Sequence, residues 1–221
     1  MTKRTLFITL IAALLGSGAI GVVIALTHRH AHRAPTAQTN GSAASASPRG
    51  FSAAALEAQY VWPEARRKAP NFTLSDQFGR IGSLRHERGS VLLLTFLDSR
   101  CKQACPIVGR ALASIQSNLH GAMRPTLVAV SVNPARDTIA STRAAARKWR
   151  FAQPWLWFRG DHRTLARVWR SYQIDVQPQA ADIAHSTAVY LVDRRGFERA
   201  LYLFPFSARG VTRAVGMLAK S

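Results

Sequence analysis

The chain is poor in cysteine and in acidic residues. Cys101 and Cys105 are the only cysteines among 221 residues, so a zinc site with four cysteine ligands is excluded. The 11 Asp and Glu residues are outnumbered by 30 Lys and Arg residues, and the formal net charge is +19. No internal repeat is present, and this length allows one domain with appendages but not two full domains.

Charged side chains are also absent from residues 5–27. About 20 apolar residues span the hydrocarbon core of a bilayer, whereas a cleaved signal peptide has a shorter apolar region that ends in small residues. Here the apolar run is followed by T-H-R-H-A-H-R, a poor cleavage site. We therefore predict that residues 1–27 form an uncleaved signal anchor, a single transmembrane helix in the inner membrane, with the folded domain in the periplasm.

The positive charge suggests different partners in different compartments. A basic surface is typical of nucleic-acid binding, but an exported domain does not meet nucleic acid. We therefore expect no nucleic-acid partner, and an anionic membrane surface or an acidic protein becomes the candidate. A solvated basic surface with no specific partner stays open as the alternative, because net charge alone does not define a function.

Residues 28–60 are predicted to form a flexible tether, and residues 61–221 the folded domain. The first part of the tether is rich in Ala, Ser, Pro and Gly. It also contains three alternating histidines, which nothing rigid holds in one geometry for a metal: His28, His30 and His32.

Apolar runs and helical spacings then alternate along the chain. Strands are predicted at residues 91–97, 126–132, 155–158 and 186–192, with hairpins turning at Gly79 and Gly196. Helices are predicted at residues 107–119, 137–150, 161–169 and 211–218. This order predicts an α/β domain with a thioredoxin-like fold.

Several polar and aromatic residues have structural interpretations. Asp137 is predicted to be the N-cap of its helix. That helix carries basic residues that suit a membrane or an acidic partner, or else a solvated face: Arg143, Arg147, Lys148 and Arg150. Four tryptophans are assigned to packing rather than to a site: Trp149, Trp155, Trp157 and Trp169.

The two cysteines lie where α/β folds commonly place their sites. Cys101 follows the end of the predicted central strand, and Cys105 falls in the first turn of the next helix, beside Pro106. A helix N-terminus lowers the pKa of a thiol and stabilises the thiolate. Three residues separate the cysteines, not the two of thioredoxin-type redox sites, so both sulfurs can converge on a soft cation such as Cu(I).

A third ligand would have to come from elsewhere in the chain. His185 directly precedes the strand at residues 186–192, in the loop that a thioredoxin-like sheet brings beside the cysteine helix. An imidazole there can face both sulfurs. Asp182, three residues earlier, can orient the imidazole or be a solvated loop carboxylate.

Three interpretations of the cysteine pair stay open at this point. The pair can form a structural disulfide, although so short a loop adds little chain-entropy stabilisation. It can serve a thiol-disulfide oxidoreductase that keeps target cysteines reduced, because such chemistry needs thiols of lowered pKa. It can also bind copper together with His185.

Three motifs in order resemble the Sco/SenC family of membrane-anchored copper proteins. They are F-L-D-S-R-C-K-Q-A-C-P, S-V-N-P-A-R-D-T and H-S-T-A-V-Y-L-V-D-R-R-G, and the similarity covers residues 69–218. The resemblance implies a thioredoxin-like metallochaperone, not an enzyme, that helps deliver copper to cytochrome c oxidase. It makes Cys101, Cys105 and His185 the ligands of Cu(I), with Cu(II) left open. The implied partner is an oxidase subunit or another copper chaperone.

The chain departs from the family pattern around the cysteines. Lys102 stands where the family commonly has proline, Ala104 stands where it often has an acidic residue, and Asn133 stands where aspartate is more usual. The expected ligands are all present, but the surrounding charge is more positive.

Overall fold

The fold is built on a mixed β-sheet. A computed structural model describes residues 50–178 and 183–220. Its strands are β1 (Tyr60–Val61), β2 (Thr73–Ser75), β3 (Ile81–Ser83), β4 (Leu92–Leu97), β5 (Thr126–Ser131), β6 (Trp155–Phe158), β7 (Val176–Pro178), β8 (Ile183–His185), β9 (Ala188–Val192) and β10 (Glu198–Leu203). Its α-helices are α1 (Ala53–Leu56), α2 (Ala104–Ser117), α3 (Ile139–Lys148), α4 (His162–Ser171) and α5 (Ala208–Leu218).

Six strands form the central sheet in the order β1-β10-β9-β4-β5-β6. Strand β4 pairs in parallel with β5 and antiparallel with β9, and β5 pairs in parallel with β6. The register sets Leu97 opposite Ser131, so the carboxyl ends of β4 and β5 meet at one edge of the sheet. The loops that leave this edge lead directly into α2 and α3.

The sheet separates two hydrophobic cores. Side chains of a strand point alternately to opposite faces, so Leu93 and Leu97 join one core while Leu94 and Phe96 join the other. Helices α1, α2, α3 and α5 contribute to the first core, and α4 contributes to the second. Burial on both faces explains why β4 is a continuous apolar run, and it confirms the predicted central strand.

The tryptophans pack as predicted. Trp149 of the first core lies with its ring centroid 5.6 Å from that of Trp157, and Trp155 packs against the same core while partly buried. Trp169 belongs to the second core, where its indole N–H donates to the Ser131 carbonyl.

The folded domain begins earlier than the predicted boundary at residue 61. Ser52 caps helix α1, and Leu56 at the end of this helix is completely buried. Helix α1 rests on α5, where a Cβ atom at Gly210 would come within 2.1 Å of the Leu56 carbonyl oxygen. Residues 51–60 are therefore part of the domain. The Ala-rich segment resembled a tether in the sequence, but it ends in Leu56, whose side chain packs in the first core.

The predicted anchor and most of the predicted tether, with its three histidines, lie outside the described residues. Within residues 50–178 and 183–220, no helix has both the length and the apolar character needed to cross a bilayer.

Candidate metal centre

The cysteine loop is held by the aspartate that follows β4. The carboxylate of Asp98 accepts a hydrogen bond from the backbone N–H of Arg100 at 2.7 Å, and its carbonyl accepts one from the N–H of Cys101 at 3.2 Å. The second carboxylate oxygen accepts from the Asn133 side-chain amide at 2.9 Å. Asp98 is 1% exposed, so these bonds fix the loop from beneath.

The two cysteines differ in their access to solvent. Cys105 is the second residue of α2 and is completely buried, whereas Cys101 in the preceding loop is only partly buried. Both are thiols, and no disulfide joins them in the structure. The disulfide interpretation therefore does not describe this state of the protein.

His185 lies against the buried cysteine. Its Nε2 atom is 3.4 Å from Cys105 Sγ, and its Nδ1 atom is 3.1 Å from the Ser186 carbonyl oxygen. A carbonyl oxygen can only accept, so Nδ1 carries the proton and Nε2 presents its lone pair to the sulfur. The structure thus brings His185 to the cysteine helix, although as the last residue of the short strand β8 and not in a loop.

The Cys105 thiol holds its proton more firmly than a position at a helix N-terminus predicts. The hydrogen bond with Cys101, together with burial, raises the pKa of the Cys105 thiol well above its usual range. A metal ion that binds here must therefore displace protons from sulfur.

In the structure, the three predicted ligands do not converge on one point. Within the described ranges, no group of three His, Cys, Asp or Glu side chains is close enough to hold a metal ion as it stands. The donors nevertheless fit copper chemically, because two sulfurs and an imidazole nitrogen are ligands that a soft cation such as Cu(I) accepts. Whether the three bind metal together stays a prediction.

Asp137 has a different role from the predicted one. Thr138 is the N-cap of α3, and it forms a reciprocal capping box with Ser141. Asp137 instead turns inward, where it is 4% exposed and accepts a hydrogen bond from the backbone N–H of Ser99 at 2.9 Å. Burial raises its pKa to about 6.

Two buried aspartates thus support the cysteine loop, and sequence reasoning assigned neither of them to it. Asp98 had a signal, since it directly follows a buried strand and precedes the cysteines. Asp137 had none, because an Asp-Thr pair before a helix offers two possible caps. Asp182, predicted as a partner of His185, lies outside the described residues.

Comparisons with known proteins agree with these motifs. Residues 62–219 match the family model described as SCO1/SenC. Protein SCO2 homolog, mitochondrial, from Bos taurus is 29% identical in an alignment of 167 residues that covers 69% of this chain and 61% of the bovine protein. The alignment therefore spans about three fifths of the length of that relative.

Solved structures share the fold. Arabidopsis thaliana ScoI with copper bound superimposes with a TM-score of 0.60 at 19% identity, covering 69% of this chain and 99% of that one. BsSco, a member of the Sco family of cytochrome c oxidase assembly proteins with an identified disulfide switch, gives a TM-score of 0.60 at 20% identity over 71% and 96% of the two chains. These likenesses confirm the predicted thioredoxin-like α/β fold.

Proposed function

Since the chain belongs to the SCO1/SenC family, we propose that it is a copper chaperone that carries copper to cytochrome c oxidase during assembly of the enzyme. The observation that carries this proposal is the contact of 3.4 Å between His185 Nε2 and Cys105 Sγ, beside the thiol of Cys101. Copper is the cargo, and Cys101, Cys105 and His185 are its proposed ligands.

The geometry suggests how copper is held and released. His185 already presents an acceptor nitrogen, and Cys105 needs only to lose its proton to become a thiolate donor. Cys101 is the more accessible sulfur, so an incoming ligand from a partner reaches the metal from that side. Stepwise exchange through Cys101 keeps the ion bound to at least one protein throughout the transfer.

Two relatives support this proposal by what is known of them. The Arabidopsis protein has been solved with copper bound, and BsSco is a member of a family of cytochrome c oxidase assembly proteins. The proposed location follows from the apolar run at residues 5–27, which would anchor the domain to the inner membrane on its periplasmic side.

A thiol-disulfide oxidoreductase is the second candidate function. Two hydrogen-bonded thiols at the start of a helix, one accessible and one buried, have the arrangement of an attacking and a resolving cysteine. The disulfide switch identified in BsSco belongs to a protein of the same fold.

Anaerobic titration of the full chain with Cu(I) tests the first function against the second. We expect one site per chain that weakens at least about tenfold in Cys101→Ser, Cys105→Ser and His185→Ala, because each removes a donor atom. His86→Ala, at an exposed histidine in the short helical turn at Leu84–Glu87, is the matched control and should bind as the wild type does.

The outcome that contradicts the copper proposal is equally specific. Unchanged Cu(I) affinity in His185→Ala, together with turnover of a disulfide substrate by that variant, would instead assign the protein to the oxidoreductase class.

A further inference from the structure

A groove opens beside the cysteine loop, between α2 and α3. Its volume is about 850 Å³, and Cys101 is among the residues that line it. Both helices begin at the sheet edge where β4 and β5 end, so the groove runs from the cysteine loop along the helices. Small side chains of α3 line it and leave it open: Ala140, Ser141, Ala144 and Ala145.

Basic side chains surround this groove. Five lysines and arginines line it, and no acidic residue is found among its described lining: Arg100, Lys102, Arg110, Arg136 and Lys148. All five are exposed, and none forms an ion pair with a residue in the described part of the chain. Their charges are therefore available to a partner.

The two helices that flank the groove carry charge of one sign only. Neither α2 nor α3 contains an acidic residue, and Asp137, the one acidic residue between positions 99 and 160, is buried against Ser99. Elsewhere on the surface, arginines pair with carboxylates, as in Arg80 with Asp76 and Arg195 with Glu64. A solvated surface usually intersperses both signs, so a groove of one sign indicates a ligand of the other.

We propose that this basic groove binds an extended acidic segment of the protein that exchanges copper with Cys101. The proposal rests on the copper-chaperone function and names the chemistry by which that partner is recognised. Helix α3 has 10 residues and is about 15 Å long, enough for four or five residues of extended chain. Carboxylates of such a segment would pair with the groove's arginines and lysines.

The shape of the site favours a protein segment over a lipid surface. A bilayer surface is flat over the length of this groove. It would contact the basic side chains at the edges of the groove but not the small side chains between the two helices. It would also cover Cys101, through which copper is proposed to leave. A peptide chain can enter the groove and leave its own metal ligand beside that sulfur.

The test measures how fast Cys101 of the full chain reacts with short peptides. The probe is a peptide of four glutamates, a glycine and one cysteine, made with the cysteine at either end and activated as a mixed disulfide with thionitrobenzoate. The Cys101 thiolate attacks the peptide sulfur, a protein–peptide disulfide forms, and the released thionitrobenzoate anion takes the electron pair and is measured by its colour. The matched probe has glutamines in place of the glutamates.

We expect the acidic probe with its cysteine at the favourable end to react about tenfold faster than the glutamine probe. Arg110→Glu with Lys148→Glu should abolish this preference, because it reverses two charges in the groove. Arg163→Glu with Arg170→Glu on α4 makes the same change in net charge on the other side of the sheet, and should keep the preference. The neutral pair Arg110→Gln with Lys148→Gln should give an intermediate preference, which guards against a folding defect of the charge-reversed pair.

Three results would overturn the proposal. An equal loss of preference in both charge-reversed pairs would make the effect one of overall charge, and no preference in the wild type would leave the groove without an acidic ligand. If vesicles of phosphatidylcholine with phosphatidylglycerol bind the wild type and lose binding only in the groove variant, while the peptides show no preference, the partner is a membrane.

The result is separable from the copper function. Cu(I) titration of the groove variants should match the wild type, since neither Arg110 nor Lys148 is a proposed ligand. Loss of the peptide preference with Cu(I) binding intact overturns the groove alone. Absence of Cu(I) binding in the wild type overturns the chaperone function whatever the peptides do.

Discussion

The imidazole of His185 is oriented by its own chain neighbour. Its Nδ1–H donates to the carbonyl of Ser186, which fixes the tautomer and directs Nε2 to Cys105. Cys105 is protonated in this arrangement, because its contact with Cys101 and its burial raise its pKa. Under the proposed function, copper would therefore compete with a proton for the Cys105 sulfur.

Copper binding should release protons. At neutral pH we expect uptake of Cu(I) by the wild type to release protons, since the Cys105 thiol must lose its proton to bind the metal, and we expect the apparent affinity to rise with pH. Calorimetric titration in buffers of different ionisation enthalpy measures the number released. Release of no protons would mean that the cysteines are not ligands.

Asp137 should make stability depend on pH in an unusual direction for an aspartate. Its pKa is raised from 3.8 to about 6 by burial, so the folded protein binds more protons than the unfolded chain between these values. The free energy of unfolding therefore falls as the pH rises through this window, by up to about 3 kcal/mol from this residue.

Chemical denaturation of Asp137→Asn at the two ends of this window tests that expectation. The fall should be smaller in the variant, since Asn keeps an acceptor for the Ser99 N–H but does not ionise. Some pH dependence should persist, because burial raises the pKa of Glu198 from 4.5 to about 7. An unchanged slope would show that Asp137 does not ionise in this range.

At the scale of helices and strands, burial decides which elements a sequence reveals. Strands β4 and β5 were predictable because both faces are covered, which makes them continuous apolar runs. The hairpin of β7 and β8 was missed, because these strands are short and partly exposed and therefore carry no such run. Helix α1 was missed because its alanines resemble a flexible linker until Leu56 is known to be buried.

As with the strands and helices, the sequence predicted part of the candidate site and missed part of it. The thioredoxin-like order of strands and helices was enough to predict that His185 lies beside the cysteine helix. They could not indicate that Asp137 points back to the loop, because a carboxylate next to a helix start can turn either way. The groove could not be predicted from the sequence. It depends on how α2 and α3 lie relative to each other, and no local sequence pattern encodes that arrangement.

The spacing of α2 and α3 depends on a glycine. A Cβ atom at Gly109 of α2 would lie 2.6 Å from a ring carbon of Trp149, a rigid group held in the first core. We expect Gly109→Ala to lower the free energy of unfolding by about 1–3 kcal/mol, because the helices must move apart. Gly216→Ala in α5 is the matched control, since its Cβ would meet nothing within 4 Å.

Denaturant unfolding of both variants measures these effects. The control should be stabilised by up to about 1 kcal/mol, because alanine favours a helix over glycine. Equal stability of the two variants would mean that Trp149 yields to the added methyl group, and that the groove is not set by this contact.

For the whole molecule, copper should connect parts that are far apart in the chain. The proposed ligands lie on the loop after β4, on α2 and on β8, so a bound ion would join both halves of the domain. Because copper binds the folded state, we expect thermal unfolding of the full chain to shift upward. The gain is about 4 kcal/mol at a free concentration a thousandfold above Kd.

Thermal unfolding under anaerobic conditions, with and without Cu(I), measures this shift. His185→Ala should show a smaller shift than the wild type at the same copper concentration. The same rise in both proteins would mean that copper is held elsewhere.

The close contact of α1 with α5 would make the start of the domain resistant to a mechanical pull. The missing side chain at Gly210 lets the Leu56 carbonyl approach α5, and the Arg213 guanidinium donates to the Ala55 carbonyl. A pull on the chain at Gly50 would first load Phe51, which is buried in the first core, and then these two helices. Tension from that direction would thus be carried first by the buried Phe51 side chain and by α1 and α5.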